Sequence, residues 1–238
     1  MSVLLIQLAG PLQAWGSSSR FARRSTEAAP TKSGVVGLLA AAQGRLRGDD
    51  LADLAALKFG VRIDQPGMRL RDFHTAHRFD TDAAMPVSER YYLADAVFVA
   101  GVEGEQGLVE ELHRALRDPV FLPYLGRRSC PPSRPVDLGV RHDLTLEDAL
   151  ARQEWRASRW YQRRHRTQQH VELEALIEAT PADGAVDTLR DQPLSFDPLH
   201  RRYALRGVRR ITVPGVPNPT ARVPLPLSHD PTAVLRGA

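Results

Sequence analysis

The sequence predicts an α+β fold: an N-terminal unit of mixed strands and helices, followed by a smaller, irregular, β-rich part. Three observations predict it. Residues 2–9 form an apolar run that stops at Gly10-Pro11 and leads, through an arginine-bearing polar loop, to a helix pattern from Gly34. Strand and helix patterns then continue to Arg117 in the order strand, helix, short helix, strand, strand, strand, helix. After Pro119 the sequence turns rich in Pro, Gly and Arg (FLPYLGRRSCPPSRP) and mostly short patterns remain. With 238 residues, 42% of them hydrophobic, the chain can bury a core and is not a disordered polymer.

Each element has a local reason. Residues 2–9 read as a buried strand. Pro30, Thr31 and Ser33 mark the start of a helix over residues 34–47, whose Gly34, Gly37, Ala40, Ala41 and Ala42 permit close packing on a sheet. Asp49 and Asp50 read as the cap and first turn of a short helix through Leu57. Residues 59–64 and 68–74 read as strands around a Gln65-Pro66-Gly67 turn. Residues 75–90 are polar and without period, between the strand ending near His74 and one expected over 91–102. So long an excursion is either a loop or a projecting hairpin arm, and such segments are often functional. Residues 107–117 place Leu108, Leu112, Ala115 and Leu116 on one side of a helix that Asp118-Pro119 ends. Further on, residues 145–155 predict a helix capped by Thr145. Residues 171–178 predict a strand with one wet face, and 185–189, 195–196 and 211–213 predict short strands before an extended, proline-rich tail. The first half approximates the β-α-β-β-α-β ferredoxin-like unit, whose sheet is shared with RNA-recognition domains. The expected division is a ferredoxin-like domain at 1–123 and a smaller domain at 124–238.

The formal charge is +4 and the pI about 9.6. Lysine occurs only at Lys32 and Lys58, so 30 of the 32 basic residues are arginine. Planar guanidinium forks suit phosphates and bases, although GC-rich coding would enrich Arg as well. Clustering says more. Between Trp155 and His170 stand five arginines and no acid; residues 198–229 also lack acids and carry Arg201, Arg202, Arg206, Arg209, Arg210 and Arg222. Such segregation points to a polyanion partner. No apolar run approaches a membrane span, and no basic stretch precedes the first one, so a cytoplasmic protein without a membrane partner is expected. A single cysteine, Cys130, excludes an internal disulfide and a cysteine zinc cluster.

Several constellations narrow the chemistry. Thr31-Lys32-Ser33-Gly34 resembles a phosphate loop only superficially: Thr31 and Thr26 stand where its glycines belong. Nucleotide hydrolysis is therefore not expected, while a helix start remains a place for a phosphate diester. His74, His77, His113, His142, His165 and His170 have no metal-ligand spacing, and no cofactor is expected. Metal-free RNA cleavage needs a base, an acid and a cation. Tyr91, Tyr92, His74, His77 and Lys32 are of those types, but nothing in the sequence brings them together. The aromatic signature of RNA-recognition motifs is absent. Trp155, Trp160 and Tyr161 lie among Arg156, Arg159, Arg163, Arg164 and Arg166, which suits single-stranded nucleic acid, a protein interface, or a solvated basic loop with anchoring tryptophans.

Four blocks carry a family resemblance. Leu8-Ala9-Gly10-Pro11-Leu12-Gln13-Ala14-Trp15-Gly16 is followed by Pro30-Thr31-Lys32-Ser33-Gly34 with Gly37-Leu38-Leu39-Ala40. Leu70-Arg71-Asp72-Phe73-His74-Thr75 and Pro123-Tyr124-Leu125-Gly126-Arg127-Arg128-Ser129-Cys130-Pro131 come next. In this order they resemble the fifth Cas protein family, in its CasD form within type I-E CRISPR Cascade. The resemblance covers about the first 135 residues; beyond them only Arg201-Arg202-Tyr203 and the strand after it are similar. It implies a ferredoxin-like (RRM-like) core with a projecting thumb hairpin at about residues 75–90 and a small C-terminal domain. It implies a noncatalytic RNA-binding subunit of a ribonucleoprotein complex in antiviral defence, holding the 5′ handle of the crRNA and capping one end of the backbone filament. Its partners would be the handle, the adjacent backbone subunit, the large subunit, and target DNA held by the assembled complex. In type I-C relatives the corresponding protein is a metal-independent endoribonuclease that processes precursor crRNA, so that activity is the alternative. The RNA contacts would fall on Gln13, Trp15, Arg20, Arg24, Lys32, Ser33, Arg71, His74, Arg127 and Arg128. Arg20, Arg24, Lys32 and Arg127 are expected at phosphates, Ser33 at a phosphate on the helix end, and Trp15 in the core rather than under a base.

Overall fold

The computed structural model describes residues 1–17, 23–184, 186–197 and 199–222. Among these, a large sheet is built from β1 (Ser2–Ala9), β4 (Lys58–Gln65), β7 (Val97–Gly104), β8 (Asp137–His142), β9 (His170–Glu178), β10 (Asp187–Ser195) and β11 (Arg202–Pro217). Its order is β10-β11-β9-β4-β7-β1-β8, and every pairing is antiparallel. The helices are α1 (Lys32–Ala42), α2 (Ala52–Ala55), α3 (Gln106–Arg117), α4 (Leu146–Arg152) and α5 (Arg159–Arg164). The fold is thus mixed α+β, with large antiparallel sheets.

Both faces of the large sheet are covered, which explains why β1 is apolar at all positions but Ser2 and Gln7 and buried throughout. Leu4, Ile6 and Leu8 enter a core formed with Trp15, α1, α2 and α3; Val3 and Leu5 point the other way, to α4 and Trp155. Two glycines let α4 lie close on that second face. A Cβ on Gly60 would stand 3.1 Å from Leu146 Cδ2 and 3.2 Å from Leu150 Cδ1, and one on Gly101 2.6 Å from Leu146 Cδ1. The sheet face opposite α1 and α3 is therefore filled by leucine rather than left open for bases.

A second sheet is centred on β6 (Ser88–Ala94). It pairs with β5 (Met68–His74) along its length, with β2 (Leu12–Gln13) at Ala94 and Leu93, and in parallel with β3 (Arg23–Arg24) at Glu89 and Arg90. β5 and β6 form a hairpin arm that continues through a bridge at His77 and Ala84, with Asp82 at φ 50° in the turn. Residues 75–87 are exposed.

Several sequence expectations change. The strand expected over 91–102 is two strands in two sheets, because Asp95 adopts φ 55° and turns the chain between them. α1 stops at Ala42 rather than at 47: Gly44 has φ 81°, and the N–H groups of Val120 and Phe121 donate to the carbonyls of Ala42 and Ala41. β8 and α5 were not expected. The short strand expected at 211–213 is part of the 16-residue β11, which passes Pro214 and Gly215 (φ 69°) through a bulge. The proline-rich tail beyond 222 lies outside the described residues. The division expected at residues 123/124 does not separate two sheets: β9 pairs with β4, and β8 with β1, across it. Sheet hydrogen bonding drives this, since β4 and β1 would otherwise keep open edges inside the core.

Candidate nucleic-acid interface

The four sequence blocks meet in space around β2, β6 and the loop 125–130. The first block turns at Gly10-Pro11 into β2, where Gln13 is fully buried. Its Nε2 donates to the carbonyls of Leu8 (3.1 Å) and Ala96 (2.8 Å), and its Oε1 accepts from Trp15 Nε1 (3.0 Å). Trp15 has no exposed surface and lies against Gly34 of α1, where a Cβ would come within 2.8 Å of its ring. Thr26 Oγ1 accepts from the Trp15 N–H at 2.9 Å. The first and second blocks are therefore joined by a buried indole on a helix glycine. Neither Gln13 nor Trp15 has surface to offer a ligand; they shape the site without touching it.

The helix start is an anion site, and the chain fills it itself. Thr31 caps α1 by accepting from the Gly34 N–H at 3.2 Å, and the Lys32 N–H donates to Asp191 Oδ2 at 2.8 Å. Asp191 is fully buried and is gripped by Arg206 through Nε (2.9 Å) and Nη2 (2.8 Å). Lys32 is buried as well, with Nζ 2.9 Å from Glu178 Oε2. Burial lowers the Lys32 pKa below its ordinary 10.5, against the opposing pull of Glu178. Ser33 is buried beside Thr31, its Oγ 3.4 Å from the Thr31 hydroxyl. The structure places Lys32 and Ser33, expected at phosphates, inside the fold: a carboxylate from β10 occupies the positive helix end, and the lysine is held in an internal ion pair.

The exposed cations lie beyond this frame. Leu125 O accepts from the Ala14 N–H at 3.1 Å, and the Leu125 N–H donates to Cys130 O at 2.8 Å, so the loop is tied down at both ends. Gly126 (φ 82°) sits where any Cβ would collide with the Ala14 carbonyl. That contact and that φ admit only glycine. The tie presents Arg127 half-buried and Arg128 exposed. Arg127 lies over the Tyr92 ring at 4.5 Å, and its Nη2 donates to Arg24 O at 3.0 Å. Its Nη1 is buried and has no hydrogen-bond partner among the described residues, and the same holds for Arg90 Nε on β6. Across the strand, Arg23 lies 5.3 Å from the centre of the Tyr91 ring. Adjacent β6 residues face opposite sides, so two guanidiniums stack on two tyrosines, one on each side of the same strand. Stacking fixes a guanidinium plane, and Arg23 Nη2 also donates to the Tyr91 hydroxyl at 3.3 Å.

Of the other expected residues, Arg71 is exposed on β5 and pairs with Glu89, opposite Tyr91 in register. His74 is half-exposed on the same strand, its Nε2 3.0 Å from Asp72 Oδ2. Arg24 is exposed, and among the described residues its side chain makes no hydrogen bond or ion pair, nor does that of Arg128. Arg20 lies outside the described residues. The structure thus groups Arg24, Arg71, His74, Arg127 and Arg128 around β6, and adds Arg23, Arg90, Tyr91 and Tyr92. Arg23 stands beside Arg24 in the sequence and could have been found there; the tyrosine platforms become visible only with the strand register.

With this geometry in hand, comparison places the chain. The sequence model described as CRISPR-associated protein (Cas_Cas5) matches residues 3–209. The chain belongs to this family. Within it, the chain is 34% identical over 226 residues to the CRISPR system Cascade subunit CasD of Escherichia coli (strain K12), covering 86% of this chain and 93% of that protein. A solved structure described as a CRISPR RNA-guided surveillance complex contains a chain 33% identical, with a TM-score of 0.73, covering 93% of this chain and 94% of that one. A crystal structure of a Cas protein is 39% identical, with a TM-score of 0.70 and coverage of 92% and 99%. The family assignment agrees with the resemblance carried by the four blocks. Much of what makes those blocks recognisable, namely Gln13, Trp15, Gly34 and Gly126, is buried or backbone-constrained frame, while the exposed cations stand beside that frame.

Proposed function

We infer that this chain is the crRNA-binding, CasD-type subunit of a type I-E Cascade, a noncatalytic protein that holds the 5′ handle of the crRNA at one end of the backbone filament. One observation carries the reading. Segments more than 100 residues apart (Arg24 and Arg127 are 103 apart) converge on one small sheet, where they leave stacked or unpaired guanidiniums. That is the chemistry of backbone-led recognition of a single strand. The likeness to the Cascade subunit CasD supports the same assignment. In this reading the order β8-β1-β7-β4, with α1 and α3 on one face, is a ferredoxin-like unit, and the β5–β6 arm is the thumb that presses on the guide. The adjacent backbone subunit, the large subunit and target DNA are the partners, in the cytoplasm. Among the described residues, no helix is long and apolar enough to cross a membrane.

The noncatalytic reading draws support from where the candidate cleavage groups sit. Lys32 is sealed against Glu178, Tyr92 lies buried beneath Arg127, and His74 leans on Asp72. The test uses the full chain and repeat-handle RNA. Arg128→Ala is expected to weaken binding and to lower the slope of log affinity against log salt by about 0.7, the value for one phosphate contact on a single strand. An unchanged slope would remove Arg128 from the cradle. Incubation with precursor repeat RNA in EDTA separates the alternative: a discrete product, lost in His74→Ala, makes the chain an endoribonuclease.

A further inference from the structure

The chain holds a second set of unpaired cations on a different element from the handle site. On α5 and just beyond it, Arg159, Arg163, Arg164 and Arg166 are all exposed, and none makes an ion pair or side-chain hydrogen bond among the described residues. Trp160, between the first two, is 53% exposed. Helical spacing puts Arg159, Trp160, Arg163 and Arg164 on one outward face, while Gln162 turns inward beneath them, only 6% exposed. Like charges this close repel one another; no acid stands between Trp155 and Val171 in the sequence, and the Asp95 carboxylate that meets Trp160 makes no ion pair with these arginines among the described residues.

The platform beneath is built with unusual care for a helix of six residues. At its start, the Ser158 N–H and hydroxyl both donate to Gln65 Oε1, at 3.0 and 2.8 Å. At its end, the buried Asn218 Nδ2 donates to the carbonyls of Gln162, His165 and Gln168, at 3.0–3.3 Å. Below, buried Trp155 makes edge contacts with Tyr161 and His165. Trp160 Nε1 donates to Asp95 Oδ2 at 3.1 Å, which fixes the indole beside the junction of β6 and β7. A rigid base, four unpaired guanidiniums and an exposed indole held in place together form a surface for a flexible polyanion with stackable rings. An acidic peptide would meet the charges but leave the indole unused.

We propose that the outer face of α5 binds single-stranded nucleic acid, with phosphates at Arg159, Arg163, Arg164 and Arg166 and a base on Trp160, as a site separate from the handle cradle. It recognises backbone and ring and no sequence. The proposal goes beyond the handle reading and does not depend on it.

The test titrates the full chain with single-stranded RNA and DNA oligonucleotides that lack any repeat sequence, following anisotropy and tryptophan emission. The quadruple variant Arg159→Gln, Arg163→Gln, Arg164→Gln, Arg166→Gln is expected to lose at least tenfold in affinity for both probes. Its salt slope should drop by about 0.7 for each phosphate contact removed. Emission quenching on binding should vanish in Trp160→Phe. A preference of the intact chain for one probe identifies RNA or DNA as the natural strand. Unchanged affinity and slope in the quadruple variant, with its circular dichroism intact, overturn the proposal. So does displacement of the probe by poly-glutamate at equal charge with no dependence on Trp160, which would indicate a protein partner. Repeat-handle RNA, read in parallel, separates the two sites: the quadruple variant keeps handle binding, whereas Arg128→Ala weakens it and leaves the α5 quenching in place.

Discussion

Arg206, Arg209 and Arg210 of β11 each reach an acid on another element: Asp191 on β10, Glu147 on α4 with Asp183, and Glu174 on β9. The arginines of α5 reach none among the described residues. Both stretches are equally free of acids in sequence. A strand inside a sheet has neighbours on both sides, and antiparallel pairing sets residues opposite others far along the chain. A short helix on the surface has one face against the protein and the other against solvent. Acid-free stretches therefore diverge according to the element they form, and a local count of charge measures free positive potential only on the helix.

The largest expected effect lies on the β11 side. Arg206→Ala strands the fully buried Asp191 with a single backbone N–H donor from Lys32, and should cost about 3–5 kcal/mol of stability. Chemical denaturation measures it; a loss below 1 kcal/mol, the scale of an exposed pair, would put β11 in the same class as α5. Next comes Asn218→Ala, which leaves three carbonyls at the end of α5 without their shared donor and should cost about 1–3 kcal/mol. If stability falls and the affinity for a non-repeat oligonucleotide falls with it, the rigid base matters to the cations above.

A smaller, pH-dependent effect comes from Asp183. Its carboxylate accepts from the Thr180 N–H and hydroxyl and lies near Arg209, and these hold its pKa below the ordinary 3.8. With the folded pKa depressed, its contribution is present above 3.8 and fades as the pH falls through the folded value. Asp183→Asn should flatten that part of the acid unfolding curve, whereas neutralising α5 should leave the curve's shape alone. The smallest effect on stability is that of the quadruple α5 variant itself, expected within about 0.5 kcal/mol of the parent by thermal unfolding. A marked loss there would mean that those arginines hold the fold rather than a ligand.

The first half was legible because its signals are local. The cap at Thr31, the stop at Asp118-Pro119 and the polar excursion after His74 are each decided by neighbours in sequence. Non-local contacts were not legible. Lys32 and Ser33 look like a phosphate site until Asp191, 159 residues along the chain, takes the place of the anion. Gln13, expected at the RNA because it stands in a matched motif, directs its side chain to the carbonyls of Leu8 and Ala96 and to Trp15; Trp15, expected in the core, lies there against Gly34. Arg62 and Asp64 lie in the strand read at 59–64, and nothing local marks them as a pair. In the fold they are a buried pair, with Arg62 donating to the carbonyls of Leu150, Gln153 and Glu154 to hold the end of α4. The short α5 has no apolar period to announce it, and the prolines of β11 hid a long strand that a bulge accommodates.

The interior place of β1 also has a consequence for synthesis. Ser2 pairs with Gly104 on one side and with His142 on the other. At about 5–20 residues per second, β1 waits roughly 5–20 s after leaving the ribosome for its first neighbour, and longer for its second. Throughout that time an eight-residue, largely apolar strand with two open edges is exposed to other nascent chains. Slow translation before β7, or a shortage of holding chaperones, would then reduce the yield of this protein before any RNA is met.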